Sequence, residues 1–322
     1  MSLTPNVSVY EPGQKAVIAW NGTEEILILS TDVTATGKTL ALEIMPLPSN
    51  PKAIEPASFQ SFTVLQELIW RYAPQNYRDL GGKGVEITFH KKIGAHDVTV
   101  IRASNASELI YWAEDFLRES GIRQRFTLHS FTSVIEDYMA RGFRYFVLDL
   151  ITVTPEPNSV NPILYRFETS FLYYPLKISS PVPGDTKIIV FLLTDGKIES
   201  PPYYPIYHPL RLASFRSPSR WEPIQLNLAK GELSLIDLRI GELFKDNAWL
   251  TVLEYDGSMD GLTRDLVIMK MNVANPNGTY PMLLGGAIGA LGTLTVVATV
   301  LLIRRAAQAK MMLNPKKSSE AF

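Results

Sequence analysis

Histidines and carboxylates are the side chains of this 322-residue chain that are best suited to chemistry, because the sequence contains no cysteine. The absence of cysteine excludes disulfides, thiolate nucleophiles and cysteine-ligated metals. None of the four histidines is paired at the i, i+4 spacing that places two metal ligands on one helix face. They are His90, His96, His129 and His208. His90 and His96 flank a turn and would meet Asp97 across a hairpin, but solvated or hydrogen-bonded histidines explain the same pattern.

Two regions with acidic residues offer further chemistry. Asp256, Ser258 and Asp260 alternate in a glycine-containing loop, an arrangement that Ca²⁺ accepts. The loop lacks the later glycine and bidentate glutamate of an EF-hand, and a hairpin turn is the competing interpretation. Glu168 lies in an apolar strand, where burial would raise its pKa, although strand alternation favours a side chain that points to water.

Signals for nucleotide binding and nucleophilic catalysis are weak. Thr36–Thr39 resembles the end of a phosphate loop, but Asp32 replaces the first glycine and a strand follows in place of a helix. Gly81–Gly84 also precedes a strand, and the chain has no G-x-S-x-G motif. We therefore predict no catalytic residue, no metal ligand and no cofactor.

The C-terminal part of the chain contains a long apolar segment. Met282–Ile303 comprises 22 residues without a charge, followed directly by Arg304 and Arg305. As a helix the segment would reach about 33 Å, which is enough to cross a bilayer core of about 30 Å. A buried helix of a soluble protein is the alternative, but such helices rarely stay apolar on all sides over this length. The pattern predicts a transmembrane helix and a lipid bilayer as partner.

Flanking charge predicts the orientation of this helix. The tail carries five basic residues against the single acidic Glu320, namely Arg304, Arg305, Lys310, Lys316 and Lys317. Excess basic charge stays cytoplasmic, so residues 1–281 are expected outside a cell membrane that the chain crosses once. The first residues lack the basic and apolar stretches of an export signal. We expect a signal that was trimmed or lies upstream; the alternative is a tail-anchored protein whose domain faces the cytosol.

Several surface features follow from this topology. Asparagine sequons on the outside stretch are candidate glycosylation sites, at Asn6, Asn21, Asn105 and Asn277. Small residues at four-residue spacing would let two transmembrane helices associate, at Gly285, Gly289 and Thr293. Alternatively, glycine is simply frequent in membrane helices.

The Pro/Tyr-rich stretch 201–209 is either an extended contact surface or a loop packed on the sheet.

Net charge argues against nucleic acid as a partner. Without the five basic residues and one acidic residue of the tail, 26 basic and 31 acidic residues remain. A mildly acidic domain without a basic aromatic patch binds a phosphate backbone poorly.

Local patterns predict a strand-rich α+β fold with about three helices. Strands 14–20 and 24–30 flank Asn21-Gly22, a strong hairpin signal, and Asp195-Gly196 is a second one. The helices are expected at 58–72, from the Asn105 cap towards Gly121, and at 132–141. Strands are expected at 40–45, 97–103, 144–154, 163–172, 187–193, 249–255 and 262–271, while 232–244 fits either helix or strand. The predicted regions are 1–180 (α+β), 181–281 (mostly β, membrane-proximal), 282–303 (transmembrane) and 304–322 (cytoplasmic tail).

Four segments carry a resemblance to a known family. They are Glu11–Ile18 with Trp20–Gly22, Pro46–Pro51, Asp97–Val100 with Ala106–Gly121, and Tyr138–Asp149 followed by Arg166–Thr169 and Tyr174–Leu176. In this order they resemble the prokaryotic family called domain of unknown function 2330. The resemblance implies an exported or membrane-attached protein and carries over no catalytic role.

Together these patterns predict a membrane-anchored, surface-exposed binding or structural module. The alternative is an extracytoplasmic hydrolase that uses carboxylates or a metal. A deep pocket with convergent acidic residues or histidines would favour the hydrolase, and a flat apolar patch would favour the module.

Overall fold

The computed structural model describes residues 6–75, 78, 91–93, 96–119, 129–198, 208–217 and 220–270. Within those ranges, no helix is long and apolar enough to span a bilayer. Several sequence predictions lie outside the described residues. They concern the transmembrane segment 282–303 with Gly285, Gly289 and Thr293, the tail 304–322, Asn277, His90, Gly81–Gly84, Gly121 and most of 201–209.

Strands dominate the described residues, so the predicted strand-rich α+β class is confirmed. The strands are β1 (Val9–Trp20), β2 (Glu24–Ala35), β3 (Thr39–Leu47), β4 (Ala53–Pro56), β5 (Lys91–Ile93), β6 (Asp97–Arg102), β7 (Tyr145–Val153), β8 (Asn158–Val160), β9 (Ile163–Glu168), β10 (Phe171–Tyr174), β11 (Asp185–Thr194), β12 (Arg211–Leu212), β13 (Ser214–Ser217), β14 (Arg220–Pro223), β15 (Gln225–Leu228), β16 (Ala248–Ser258) and β17 (Leu266–Met269). The α-helices are α1 (Gln60–Tyr72), α2 (Ala106–Glu119), α3 (His129–Ala140), α4 (Lys230–Ile236) and α5 (Leu238–Leu243).

A large mixed sheet forms the centre. Its main path runs β12-β16-β11-β1-β2-β8-β5, with β15 also paired to β16 and β9 to both β2 and β4. The central strand β1 pairs in parallel with β11 and antiparallel with β2. Its residues from Gly13 to Trp20 are all buried because both faces of the sheet are covered.

The hairpin between β1 and β2 confirms the Asn21-Gly22 prediction. Asn21 Oδ1 accepts from the backbone N–H groups of Thr23 and Glu24 at 3.1 and 2.9 Å. Gly22 adopts a φ of +93°, which a residue without Cβ tolerates best. The turn therefore fixes the register that brings the rest of both strands together.

A smaller sheet, β3-β7-β6, packs against one face of the large sheet. Met45 and Val147 join the core between the two sheets, whereas Leu42 and Leu148 join the core beneath α2 and α3. This alternation follows from the two-residue repeat of a strand. The opposite face of the large sheet carries α1, α4 and α5 over a core that includes Val17, Phe62 and Leu233.

The helices agree closely with their sequence signals. In α1, Phe62, Leu65 and Ile69 are buried as expected, but Tyr72 is 44 % exposed. At the start of α2, Asn105 Oδ1 accepts from the Glu108 N–H at 2.9 Å, which confirms the predicted cap. The ambiguous stretch 232–244 is helical and contributes α4 and α5, so the estimate of about three helices was too low.

Three predictions about chain connections were wrong. Asp195-Gly196 does not open a two-strand hairpin, because both edges of β11 are already occupied by β1 and β16. The predicted strand 163–172 divides into β9 and β10, which belong to different sheets. The stretch 256–260 is not a hairpin turn either, since β17 pairs with β10 and not with β16.

The regions predicted on either side of residue 181 share one sheet. Residues 1–276 form one compact unit, and β1 pairs with β11 across the expected boundary. A parallel pair needs a long crossover connection, so a boundary between the two strands would cut through the sheet itself.

Candidate functional site

A cleft between the two sheets is the candidate site. It has a volume of about 80 Å³. Its polar lining comes from Glu11, Gln14, Thr31, Glu43, Tyr174 and Ser179. Apolar side chains complete the wall, among them Leu29, Leu42, Met45, Phe131 and Ile178. Ligand pockets in proteins usually measure about 300–1,000 Å³, so this cleft is small in the form observed.

Glu43 lies on the small sheet and faces a second carboxylate. It is directly opposite Asp149 in the antiparallel pairing of β3 with β7. Like charges in directly opposed positions destabilise a sheet. Thr31 on the large sheet donates its hydroxyl to Glu43 Oε1 at 2.9 Å, which provides a neutral hydrogen bond across the cleft.

Glu11 reaches the cleft because β1 contains a bulge. The register of β1 against β2 shifts between Tyr10 and Gly13, so Glu11 and Pro12 lie opposite the single residue Val33 and β1 contains one extra residue there. An inserted residue reverses the alternation of inward and outward side chains. Both Glu11 and Gln14 therefore line the cleft, although their sequence spacing of three would place them on opposite faces of a regular strand.

The two cleft glutamates hold their protons more strongly than ordinary carboxyls. Burial and the neighbouring Glu43 charge raise the pKa of Glu11 to about 8. Burial and the facing Asp149 charge raise the pKa of Glu43 to about 7. Each effect disfavours the ionised form, so both groups titrate near neutral pH.

His96 connects this cluster to the edge of the small sheet. Its Nδ1 lies 2.5 Å from Asp149 Oδ2, and its Nε2 lies 2.8 Å from the backbone oxygen of Asn161. Burial by itself lowers the pKa of His96, but the hydrogen bond and charge of Asp149 outweigh it and raise that pKa overall. The arrangement favours an imidazolium ion paired with Asp149.

Neutral hydrogen bonds close one end of the cleft. The Tyr174 hydroxyl donates to Gln14 Oε1 at 2.7 Å, and Gln14 Nε2 donates to Ser179 Oγ at 3.2 Å. Gln14 is 4 % exposed, so its amide is satisfied inside the fold. These contacts hold β1 against β10 and the turn at Lys177–Ser179.

Asp265 is a buried carboxylate outside the cleft, and it has a structural role. It accepts from the Tyr138 hydroxyl, from Arg141 Nη1 at 2.8 Å and from the Lys177 N–H at 2.9 Å. Its side-chain oxygens are therefore fully engaged, and they hold α3 against the turn before β11. This cluster contributes stability, and its members are not among the residues that line the cleft.

The sequence-predicted site residues are dispersed. Asp256, Ser258 and Asp260 are exposed, and β16 continues through Ser258. His96 binds Asp149 and not Asp97, while β5 and β6 belong to different sheets. In the described part of the chain, no group of three or more histidine or acidic residues is arranged to hold a metal ion.

Glu168 and the sequons also have defined surroundings. The Glu168 side chain is 68 % exposed and lies 2.8 Å from Lys52 Nζ, which confirms that it points to water. Asn6 and Asn105 are exposed. Asn21 is half-buried, and its Nδ2 donates to the Leu243 carbonyl at 3.3 Å. Glycosylation at these positions stays a prediction.

Sequence reasoning missed the residues that form the cleft. Glu43 stands in a segment that was interpreted only as a strand, and Asp149 lies in the apolar run of β7. Glu11 lies before the first predicted strand, in a segment that served only the family resemblance. An acidic residue within each apolar strand was the available signal, since carboxylates are rarely buried without a specific environment. Which of these residues meet depends on strand pairing.

Comparison with known proteins identifies the family. The family described as "uncharacterized protein conserved in bacteria (DUF2330)" matches residues 3–260. The chain belongs to this family. The match covers the whole cleft and most of both sheets, in agreement with the resemblance carried by the four sequence segments.

Other comparisons add little. None of the curated proteins matches the chain. Among solved structures, the crystal structure of baculovirus P35 is similar with a TM-score of 0.43 and 9 % sequence identity, covering 84 % of this chain and 98 % of that one. The membership in the DUF2330 family therefore remains the finding that describes this chain.

Proposed function

We propose that this member of the DUF2330 family is a membrane-anchored binding or structural module whose bulk lies outside the cell. The observation that carries the proposal is the uncharged run Met282–Ile303 with Arg304 and Arg305 directly after it. An apolar run of this length favours a bilayer, and the basic end favours the cytoplasmic side. The compact unit of residues 1–276 would then be presented at the surface.

The pKa values of the two cleft glutamates and the small volume of the cleft favour a binding or structural module over an enzyme. Catalytic acid–base pairs usually have pKa values that are pushed apart, so that one group donates while the other accepts. Here the pKa values of Glu11 and Glu43 are raised together, to about 8 and about 7. The cleft, at about 80 Å³, also leaves little room for a substrate.

The second candidate is an extracytoplasmic hydrolase that uses carboxylates. It is favoured by the convergence of Glu11 and Glu43 in one cleft with near-neutral pKa values. General acid catalysis at neutral pH needs such a raised pKa. A panel of glycoside, ester and phosphoester substrates would test it. Turnover that is lost in both Glu11→Gln and Glu43→Gln, but retained in Glu168→Gln, would favour the hydrolase.

Protease treatment of intact cells tests the topology. With the proposed orientation, peptides from residues 1–281 are released and identified by mass spectrometry, whereas the tail 304–322 stays protected until the membrane is permeabilised. Release of tail peptides alone would reverse the orientation. If alkaline carbonate extracts the full chain without detergent, the chain is not held by a transmembrane helix and this part of the proposal is wrong.

A further inference from the structure

Carboxylates from both sheets converge on the cleft, and this convergence carries a further inference. Glu11 from the large sheet and Glu43 from the small sheet line the cleft, and Asp149 lies opposite Glu43 in the small sheet. We call Glu11 and Glu43, together with the adjacent Asp149, the cleft carboxylates. Asp149 is 4 % exposed, and its Oδ1 has no hydrogen-bond partner among the described residues. His96 pairs with the other oxygen of Asp149, so additional charge on Glu11 and Glu43 would be poorly compensated.

We propose that the cleft is a proton-controlled latch, which holds the two sheets together while Glu11 and Glu43 are protonated and loosens when they ionise. The latch acts through repulsion between the sheets, because Glu11 and Glu43 line the same cleft from different sheets and the charge of Glu43 acts on Glu11. Two like charges that cannot both be solvated repel strongly in a partly buried site.

The surroundings of Glu43 set the direction of the effect. The small sheet presents Asp149 and His96, and β1 presents Glu11. Asp32 adds negative charge near Glu11 but is bound to Lys15, and the buried Tyr165 and Tyr174 hydroxyls face the same carboxylates. Neutralisation of the cleft carboxylates therefore depends on protons and on the His96 imidazolium.

Glu11, Glu43 and His96 all lower the stability of the folded state as the pH rises. The pKa values of Glu11 and Glu43 are raised from 4.5 to about 8 and about 7, and the pKa of His96 is also raised. The folded state therefore binds more protons than the unfolded state from about pH 4.5 upward. The stability that protonated Glu11 and Glu43 contribute is fully present below their unfolded-state pKa of 4.5. It is lost as the pH rises through their folded-state pKa values of about 7 to 8.

Because the cleft is small, loosening of the latch would change its volume. At about 80 Å³ the closed form has room for a few water molecules only. Separation of β3 and β7 from β1 and β2 would widen the cleft and expose its apolar wall. Alkaline conditions are therefore expected to open the cleft, and acidic conditions to close it.

Hydrogen exchange of the full chain in detergent micelles tests the latch. Exchange is measured at pH 6 and pH 8.5 by mass spectrometry and corrected for the intrinsic rate at each pH. We expect protection of β3 and β7 peptides to fall about tenfold at pH 8.5 relative to β11 and β16 peptides, as for a local opening. The Glu43→Gln variant should retain protection at both pH values, because its amide cannot ionise.

Control variants separate the latch from a general effect of charge. Glu168→Gln removes an exposed carboxylate that binds Lys52, so it should behave like the wild type. Glu11→Gln removes the opposing charge from the large sheet and provides a second test that is independent of how well Glu43→Gln folds.

Clear results would overturn the proposal. Equal protection of β3 and β7 at both pH values would show that the cleft does not respond to protons. Loss of protection in all strands together would indicate global destabilisation in place of a latch. An unchanged loss in both Glu43→Gln and Glu11→Gln would remove the two glutamates from the mechanism.

Discussion

At the scale of single residues, buried carboxylates are the most unusual feature of this protein. Glu25 is 0 % exposed, and one of its oxygens accepts from the Tyr173 N–H at 2.7 Å. The other oxygen has no hydrogen-bond partner within the described residues. Burial raises the pKa of Glu25 well above its ordinary value, so the neutral acid is the form that the fold accepts.

Glu25→Gln should make the protein more resistant to alkaline pH. The amide keeps an acceptor for the Tyr173 N–H and cannot ionise. In the wild type, stability present at acidic pH is lost as the pH rises, by up to about 1.4 kcal/mol per pH unit for one group. Thermal unfolding between pH 5 and 9 should show a smaller fall in Tm for the variant. A steeper fall than in the wild type would contradict this account.

Substitution of Asp265 should destabilise the folded protein. Asp265→Asn replaces one acceptor oxygen with a donor beside Tyr138, Arg141 and the Lys177 N–H. We expect a loss of about 2–3 kcal/mol in the free energy of unfolding, measured by chemical denaturation.

The matched control for Asp265 is Asp115→Asn. Asp115 pairs with Arg118 on the surface of α2, with side chains 43 % and 62 % exposed. Such a pair contributes little, so the change should stay within about 0.5 kcal/mol. Equal effects of the two variants would show that burial of Asp265 does not matter.

At the scale of elements, strand irregularities decide what lines the cleft. The bulge at Glu11 and Pro12 turns a carboxylate inward, and the register of β3 with β7 places Glu43 opposite Asp149. Regular alternation describes the remainder of these strands well. The candidate site therefore occurs where the sheet departs from its simplest geometry.

Two glycine substitutions should have opposite effects. Gly22→Ala forces a side chain into a φ of +93° and should cost about 1 kcal/mol. Gly231→Ala lies in α4 with no atom within 4 Å of the new Cβ, and should stabilise the helix by about 0.5–1 kcal/mol. Urea unfolding of both variants measures the two effects. Destabilisation by Gly231→Ala would mean that α4 does not tolerate the added side chain.

At the scale of the whole molecule, the packing of two sheets and two helical layers makes residues 1–276 one unit. Parallel pairing of β1 with β11 joins the beginning of the chain to its later half. A contact of such long range brings distant segments into one core, so stability should be shared across the unit.

A chain truncated after Pro276 should fold and stay soluble without detergent. All the cores described above lie within this unit, and the apolar segment 282–303 is removed. The full chain should require detergent, as expected for a transmembrane helix. Sedimentation after lysis and circular dichroism of both forms measure this difference. Aggregation of the truncated chain, or a freely soluble full chain, would contradict the expectation.

The sequence by itself determined the features that depend on neighbouring residues. It predicted the Asn21-Gly22 hairpin, the Asn105 cap and the three longer helices, because turn chemistry, capping and side-chain periodicity act over a few residues. It also contains the apolar run on which the proposed membrane location depends.

Only the tertiary structure decided which strands pair and which acidic side chains meet. Strand partners of β11 and β17 differed from the hairpins predicted, and local patterns did not show that Glu11 and Glu43 line one cleft with Asp149 beside Glu43. Strand pairing and bulges are selected by packing between distant segments, so local patterns leave them open. The candidate site is therefore a property of how the two sheets pack.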